Sequence, residues 1–204
     1  MRRMQLYYAP KACSLVPHIV LRAAGLPFDL VKVDFATGKK LPDGRPLSDV
    51  SPKGYVPALV LDEGQLLTEN QVMQRYIADL APEKNLAPRP GTMERVRLEE
   101  MMNFLATELH KGTSVFFSAD APDSYKAAIT KRLETRLAMM GEMLAGKKFL
   151  MGDSFTVADA YAFWCLGICA FVAKMDLAQW PEVAAYYKRL GEVPAVKDAV
   201  AAEG

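Results

Sequence analysis

The pattern of apolar and polar positions changes character about eighty residues into the chain. Before that point, two apolar runs of strand character, "MQLYY" (4–8) and "FDLVKVD" (28–34), flank the helical pattern "LVPHIVLRAAG" (15–25). A hairpin pattern follows at 58–70, where two β-type runs enclose an Asp-Glu-Gly turn, and "NQVMQRYIADL" (70–80) has helical periodicity. The first part therefore predicts an α/β domain with the order β-α-β, a loop, then β-β-α.

The rest of the chain has a helical pattern with almost no strand signals. The segment "APEKNLAPRPG" (81–91) has three prolines and no periodicity, which is typical of a linker. Long helical patterns then cover 92–117, 124–145, 156–173, 182–190 and 194–202. We predict a thioredoxin-like α/β domain over 1–81, a linker over 82–91 and an all-α domain over 92–204.

Two helix ends carry local signals of their own. Gly25 follows the first helical pattern at the position of a C-terminal cap. Thr156 and Asp159 have the spacing of a capping box, with an acidic residue three positions after the hydroxyl. For Asp159 this structural role is a better interpretation than catalysis.

Composition and charge exclude several classes of protein. The 204 residues are 51% hydrophobic and 24% charged, with a formal net charge of +1 and scattered Lys and Arg, so neither nucleic acid nor a membrane is expected as partner. We find no signal peptide and no apolar run long enough to span a bilayer, which favours the cytoplasm. Three cysteines without paired spacing suit a reducing compartment, and Cys165 and Cys169 are best explained as core filling. With His18 and His110 as the only histidines, no metal site is expected.

The stretch "YYAPKACSLVPH" (7–18) places Cys13 where a strand passes into a helix. A redox fold of this order would carry a Cys-x-x-Cys pair, but Val16 occupies the second position. Unpaired amides and the positive end of the helix dipole favour a thiolate there, so Cys13 is a candidate nucleophile or an anchor for another sulfur. The alternative is a small buried residue that fills space. His18, one turn after Ser14, is expected to brace the Cys13 loop rather than to catalyse.

Two further stretches of the first domain contain candidate binding groups. In "SPKGYVPAL" (51–59), a cis bond before Pro57 would present the backbone N–H and C=O of Val56 to a passing peptide, although an ordinary loop proline fits as well. In "LLTEN" (66–70), Glu69 comes at the start of a helix, where backbone amides could bind a carboxylate and the side chain an ammonium. Taken alone, Glu69 would be an ordinary acid of a first helical turn.

The helical part contains one polar stripe. At about 100° per residue, Asn103, Thr107, His110 and Ser114 fall within a narrow arc of an otherwise apolar helix. Small hydrogen-bonding groups with one His favour a cleft over a solvent face. Glu108 lies roughly 140° from Asn103 on the same wheel, so it is expected to point elsewhere, toward another subunit.

Together, "ACSLVPHI", "SPKGYVPAL" with "LLTE", and "ATELHKG" carry a resemblance that covers essentially the whole chain. The chain resembles a cytosolic glutathione transferase of the bacterial beta class. The resemblance implies a glutathione-binding thioredoxin-like domain, a helical domain with the electrophile pocket, and a homodimer. It implies conjugation of the glutathione sulfur to small hydrophobic electrophiles, with Cys13 able to form a mixed disulfide. A glutathione-dependent thiol-disulfide reductase, a dehalogenase and a non-catalytic binder of hydrophobic ligands are the alternatives.

The resemblance also implies roles for single residues. Cys13 and His110 would be catalytic, and Glu108 would reach the glutathione of the partner subunit. The implied glutathione-binding residues are Cys13, Ser14, Lys39, Val56, Pro57, Glu69, Asn70, Asn103, Glu108 and Lys111. Lys40 is the alternative to Lys39, because the loop is one residue longer than usual. Asn70 departs from the Ser or Gly of relatives, and its amide would still bind a carboxylate.

Overall fold

The computed structural model describes residues 3–204, whose contacts divide into two units. The first unit runs up to Leu86 and also includes Pro194–Gly204, while the second is Ala87–Val193. The sequence predicted a helical domain over 92–204, whereas the last helix belongs to the first unit in the structure. The cause of this difference is that this helix packs against the helix that follows Cys13.

Strands occur only in the first unit among the described residues, and they form one mixed sheet. The strands and α-helices are β1 (Met4–Tyr8), α1 (Leu15–Ala24), β2 (Phe28–Lys32), β3 (Ala58–Val60), β4 (Leu66–Leu67), α2 (Asn70–Leu80), α3 (Met93–Phe104), α4 (Asp123–Leu144), α5 (Val157–Phe171), α6 (Pro181–Gly191) and α7 (Pro194–Glu203). The strand order is β2-β1-β3-β4, with β1 parallel to β2 and antiparallel to β3. On β1, Leu6 lies opposite Leu30 and Leu59.

The core of the first unit follows from these apolar runs. Leu6, Ile19, Leu59 and Ile77 are fully buried, and each contributes about 2 kcal/mol through the burial of its side chain. Helix α1 ends at Gly25, whose φ of 68° closes the last turn and confirms the predicted cap. The pattern-based order of strands and helices is confirmed, as is the thioredoxin-like class with an all-α part.

The predicted helix over 92–117 needs correction, because it consists of three kinds of turn. After α3, Leu105–His110 is a π-helix and Gly112–Phe117 is a 3₁₀-helix. The hydroxyl of Thr107 donates to the carbonyl of Asn103 at 3.0 Å, as the hydroxyls of Thr130 and Thr135 do to carbonyls one turn earlier in α4. Because π-turns bond i to i+5, the spacing of 100° per residue behind the polar stripe does not hold there.

Helix α5 starts at the predicted capping box. The Asp159 carboxylate accepts hydrogen bonds from the backbone N–H of Thr156 at 2.8 Å and of Leu150 at 2.9 Å, and from the Tyr186 hydroxyl at 2.6 Å. Burial raises the pKa of Asp159, and these donors oppose that shift. Asp159 therefore has the structural role that the sequence predicted.

No helix among residues 3–204 is long and apolar enough to cross a membrane.

Candidate active site

Cys13 lies in the loop between β1 and α1, and its thiol faces the backbone of another loop. The Ser14 hydroxyl closes this loop, because it accepts from the N–H of Ala9 at 3.1 Å and donates to the carbonyl of Ala9 at 3.2 Å. The half-buried Cys13 thiol donates to the carbonyl oxygen of Val56 at a Sγ–O distance of 3.5 Å. The peptide bond between Val56 and Pro57 is cis. The thiol and a backbone segment suited to pair with a peptide therefore meet at one place.

The start of α2 reaches the same place through two buried amides. The side-chain amide of Asn70 donates to the carbonyl of Cys13 at 2.7 Å, and its oxygen accepts from the Gln74 amide at 2.7 Å. Gln74 is fully buried, and its own oxygen has no partner among residues 3–204. The Asn70 side chain thus makes hydrogen bonds within the protein, and a contact between its amide and a ligand carboxylate stays a prediction. The backbone N–H groups of this helix start are further donors for such a carboxylate.

Glu69, the residue before α2, has an unusual backbone conformation and a cationic neighbour. Its φ of 69° lies in the left-handed region, where a side chain other than glycine is strained. The Lys53 ammonium contacts the Glu69 carboxylate at 2.5 Å, and this hydrogen bond raises the pKa of Lys53. Both side chains are about half exposed. The strained backbone therefore holds an accessible carboxylate next to the first turn of α2.

The ammonium of Lys39 lies near the loop that contains Val56. Lys39 Nζ donates to the carbonyl of Gly54 at 2.8 Å. The backbone of Lys40 instead pairs with Asp34 in the preceding loop. The sequence left Lys39 and Lys40 open as glutathione-binding residues, and the position of the Lys39 ammonium favours Lys39.

A largely buried hydrogen-bond network connects α1 and α7 to the loop that contains Cys13. His18 Nδ1 lies 2.8 Å from a carboxylate oxygen of Glu203, and Arg22 Nε donates to His18 Nε2 at 2.8 Å. The other Glu203 oxygen accepts from the backbone N–H of Lys11 at 3.3 Å, two residues before Cys13. His18 thus acts through Glu203, a residue of α7 that no local sequence signal indicated.

In the second unit, His110 is the predicted site residue with the most restricted surroundings. Its Nδ1 lies 2.7 Å from the hydroxyl oxygen of Tyr161, and its ring packs against Trp164 with centroids 4.5 Å apart. Burial, with a smaller effect of Lys111, lowers the pKa of His110 to about 4. His110 is therefore neutral at physiological pH. Sequence reasoning missed Tyr161, because nothing local indicates a contact across fifty-one positions.

The other predicted site residues of this unit are Asn103, Lys111 and Glu108, and they differ in exposure and in hydrogen bonding. Asn103 and Lys111 are exposed. Glu108 accepts hydrogen bonds from Arg136 Nε at 2.6 Å and from Arg132 at 2.9 Å, which hold its pKa below the usual range. Within the chain, Glu108 is thus neutralised by two arginines of α4. Its contact with a partner subunit stays a prediction.

The remaining cysteines do not belong to a site. Cys165 and Cys169 are buried in α5, and burial raises the pKa of Cys169 to about 12. Residues 3–204 contain no cluster of three or more His, Cys, Asp or Glu side chains that could hold a metal ion. Cys13 is therefore the one cysteine of residues 3–204 that is not buried.

The fold and the Cys13 loop define a thioredoxin-like protein that has one partly exposed thiol and carries an added helical unit. Models of the glutathione S-transferase N-terminal and C-terminal domains match residues 12–80 and 123–189. The chain is 42% identical over 201 residues to the glutathione S-transferase GstA of Escherichia coli O157:H7. The aligned region covers 98% of this chain and 99% of the relative. The chain therefore belongs to the glutathione S-transferase family.

Solved structures agree with this assignment over nearly the full length. A sphingomonad glutathione S-transferase complexed with glutathione is 41% identical, with a TM-score of 0.92 and coverage of 98% of each chain. The beta-class glutathione S-transferase of Sphingomonas chungbukensis is 42% identical, also with a TM-score of 0.92 and coverage of 98% of each chain. The resemblance inferred from the three sequence stretches is confirmed, and the chain is a glutathione transferase.

Proposed function

We propose that this glutathione transferase joins the sulfur of glutathione to small hydrophobic electrophiles, with glutathione as co-substrate. The observation that carries the proposal is the 3.5 Å hydrogen bond between the Cys13 thiol and the Val56 carbonyl. This contact supports a site in which the Cys13 thiol and the Val56 backbone would both bind one cysteinyl residue. The sphingomonad relative that holds glutathione supports the choice of ligand.

The tripeptide would bind to the first unit along its backbone and at both ends. The N–H and C=O of Val56 would pair with the cysteinyl backbone, as an added strand does. Glu69 would bind the γ-glutamyl ammonium, while the backbone amides at Asn70 would bind the γ-glutamyl carboxylate. Lys39, which lies against the carbonyl of Gly54, would bind the glycyl carboxylate. Ser14 would contribute through the loop that it closes, since its hydroxyl is engaged with Ala9.

Catalysis would depend on stabilising the sulfur anion of glutathione. A free thiol of this kind is only a few per cent ionised at neutral pH, so donors that favour the anion raise the amount of nucleophile. The Cys13 thiol, the start of α1 and the His110 ring are the proposed donors. Each would lower the pKa of the glutathione thiol. The anion then attacks the electrophile, and the leaving group departs with the bonding electron pair.

Cys13 would also react with glutathione disulfides by exchange. Its thiolate attacks the glutathione sulfur of a mixed disulfide, a new S–S bond to Cys13 forms, and the other thiol leaves as thiolate. The exchange needs no external oxidant, because one disulfide replaces another. It would compete with conjugation for the same sulfur position.

Two residues of the second unit, Asn103 and Lys111, would bind glutathione or product through their exposed polar groups. Glu108 would reach the glutathione of a partner subunit in a homodimer. A stripe of partly exposed apolar side chains on α2, formed by Val72, Tyr76 and Leu80, supports burial against a second copy. Sedimentation analysis is expected to give a dimer, and a monomer at all concentrations would contradict the proposed homodimer.

We place the enzyme in the cytoplasm, where its three free cysteines would stay reduced.

The test compares wild type, Cys13→Ala and the matched control Cys169→Ala with 1-chloro-2,4-dinitrobenzene and with a glutathione mixed disulfide. Cys13→Ala removes a hydrogen bond to a charged sulfur, about 1.5 kcal/mol, and is expected to lower kcat for conjugation about tenfold. It is also expected to abolish adduct formation with the mixed disulfide. Cys169→Ala removes a thiol from the core and is expected to retain both activities.

Calorimetric titration with glutathione completes the test. Wild type that binds no glutathione would overturn the proposed function as a whole. Cys13→Ala that retains both activities would overturn the role of Cys13 alone. Loss of only the disulfide reaction would assign conjugation to the other donors.

A further inference from the structure

The hydroxyl of Tyr161 makes the only hydrogen bond to the His110 ring among residues 3–204. Tyr161 lies in α5 and is 2% exposed, and its ring meets the His110 ring edge-on with centroids 5.8 Å apart. Trp164, one turn further along α5, packs on the imidazole at 4.5 Å with an interplanar angle of 67°. Two aromatic rings and one hydroxyl thus fix both the plane and the rotation of the imidazole.

The chemistry of the two groups favours Tyr161 as the donor in this hydrogen bond. The Tyr161 oxygen and His110 Nδ1 are 2.7 Å apart, a hydrogen-bonding distance that either donor allows. A phenol is a good donor, and a neutral imidazole offers one nitrogen lone pair as acceptor. When Nδ1 accepts, the single ring proton must be on Nε2.

We propose that Tyr161 is a positioning residue that fixes His110 in its Nε2–H tautomer and thereby makes the ring a hydrogen-bond donor to the glutathione sulfur anion. The inference rests on the proposed function of His110. In the other tautomer, Nε2 would present a lone pair and repel the anion. Tyr161 therefore decides whether His110 stabilises the nucleophile, although its hydroxyl acts only through the imidazole.

The tautomer can be measured without any activity assay. The chain has two histidines, so ¹⁵N-histidine labelling gives two imidazole patterns, and His110→Gln assigns them. Wild type is expected to show the Nε2–H pattern for His110 in two-bond ¹⁵N–¹H spectra at pH 7. In Tyr161→Phe, which keeps the aromatic ring, this pattern is expected to shift toward a mixture of both tautomers.

The kinetic part compares Tyr161→Phe with a variant that loses a similar hydroxyl elsewhere. Tyr186→Phe is the matched control, because Tyr186 is also buried in this unit but donates to Asp159 at 2.6 Å. Tyr161→Phe is expected to lower kcat for conjugation about tenfold, with less than a twofold change in KM for glutathione. The control is expected to leave the His110 spectrum and kcat within twofold of wild type.

Four results would overturn the inference. An Nδ1–H pattern in wild type, or an unchanged pattern in Tyr161→Phe, would refute the assigned tautomer. A shifted pattern with unchanged kcat would refute the positioning role. A Tyr161→Phe defect that is as large in a His110→Gln background would show that the effect bypasses His110. Failure of the proposed function is distinguishable, because wild type would then show no conjugation while the spectra still report the tautomer.

Discussion

Replacing Glu203 tests whether the end of the chain stabilises the cysteine loop. In Glu203→Ala, the buried His18 Nδ1 loses its acceptor at 2.8 Å and the Lys11 N–H loses its acceptor at 3.3 Å. A buried polar group without a partner costs about 1 to 3 kcal/mol, and the longer bond to Lys11 contributes about 0.5 kcal/mol. His18 is fully buried and Glu203 is 8% exposed, so water does not replace the lost acceptor. The free energy of unfolding is expected to fall by about 1.5 to 3.5 kcal/mol.

Urea unfolding followed by circular dichroism measures this change, and Asp198→Ala is the matched control. Asp198 is an exposed acid on the same helix, so its replacement is expected to change the free energy of unfolding by less than about 0.5 kcal/mol. A loss below about 1 kcal/mol for Glu203→Ala, relative to Asp198→Ala, would refute the reasoning. It would show that the His18 and Lys11 nitrogens find other partners when α7 loses its carboxylate.

Three further predictions concern pH, thiol reactivity and the amides behind Cys13. Because burial lowers the pKa of His110 to about 4, the unfolded chain binds the proton first as the pH falls below about 6.5. The contribution of His110 to stability should therefore be complete above about pH 6.5. In urea titrations, the free energy of unfolding should fall by up to about 3 kcal/mol toward pH 4 in wild type, and His110→Gln should lack this loss. An equal dependence of the free energy of unfolding on pH in both proteins would contradict the prediction. Iodoacetamide at pH 8 should label Cys13 and leave Cys169, whose pKa is raised to about 12, unmodified by mass spectrometry; equal labelling would refute its burial. Asn70→Ala leaves the Gln74 amide without its acceptor and removes one of the donors to the Cys13 carbonyl, which keeps the Val16 N–H. It should lower the free energy of unfolding by about 2 kcal/mol in urea titrations, with exposed Glu63→Ala as unchanged control; a loss no larger than that of the control would contradict it.

Local patterns predicted the elements of the fold well, because their causes are local. The helix over 70–80 has the bounds of α2, since apolar positions one turn apart need only their own helix to share a face. The capping box at Thr156 and Asp159 was equally predictable, because its partners are three residues apart. The π-helix Leu105–His110 was not predicted, because a periodicity argument assumes the same regular turn along the whole helix.

The candidate site was predictable in part, and the contacts that the sequence did not reveal are long-range. Cys13 could be found because a thiol at a strand-to-helix junction is visible in the sequence itself. The hydrogen bond from the Asn70 side chain to the carbonyl of Cys13, fifty-seven positions away, was not predicted. Glu203 and His18 are 185 positions apart, and only the packing of α7 on α1 brings them together. Such pairs follow from topology, which residue spacing alone does not encode.

The valine in the place of a second cysteine now has a physical explanation. Val16 is fully buried, and its backbone N–H donates to the carbonyl of Cys13 at 3.2 Å, so both residues belong to the first turn around α1. The position next to the reactive thiol is therefore part of the core and offers no sulfur. What faces the Cys13 thiol instead is the carbonyl of Val56, at a Sγ–O distance of 3.5 Å. In the proposed function, glutathione brings the second sulfur to Cys13 and its peptide backbone would pair with Val56.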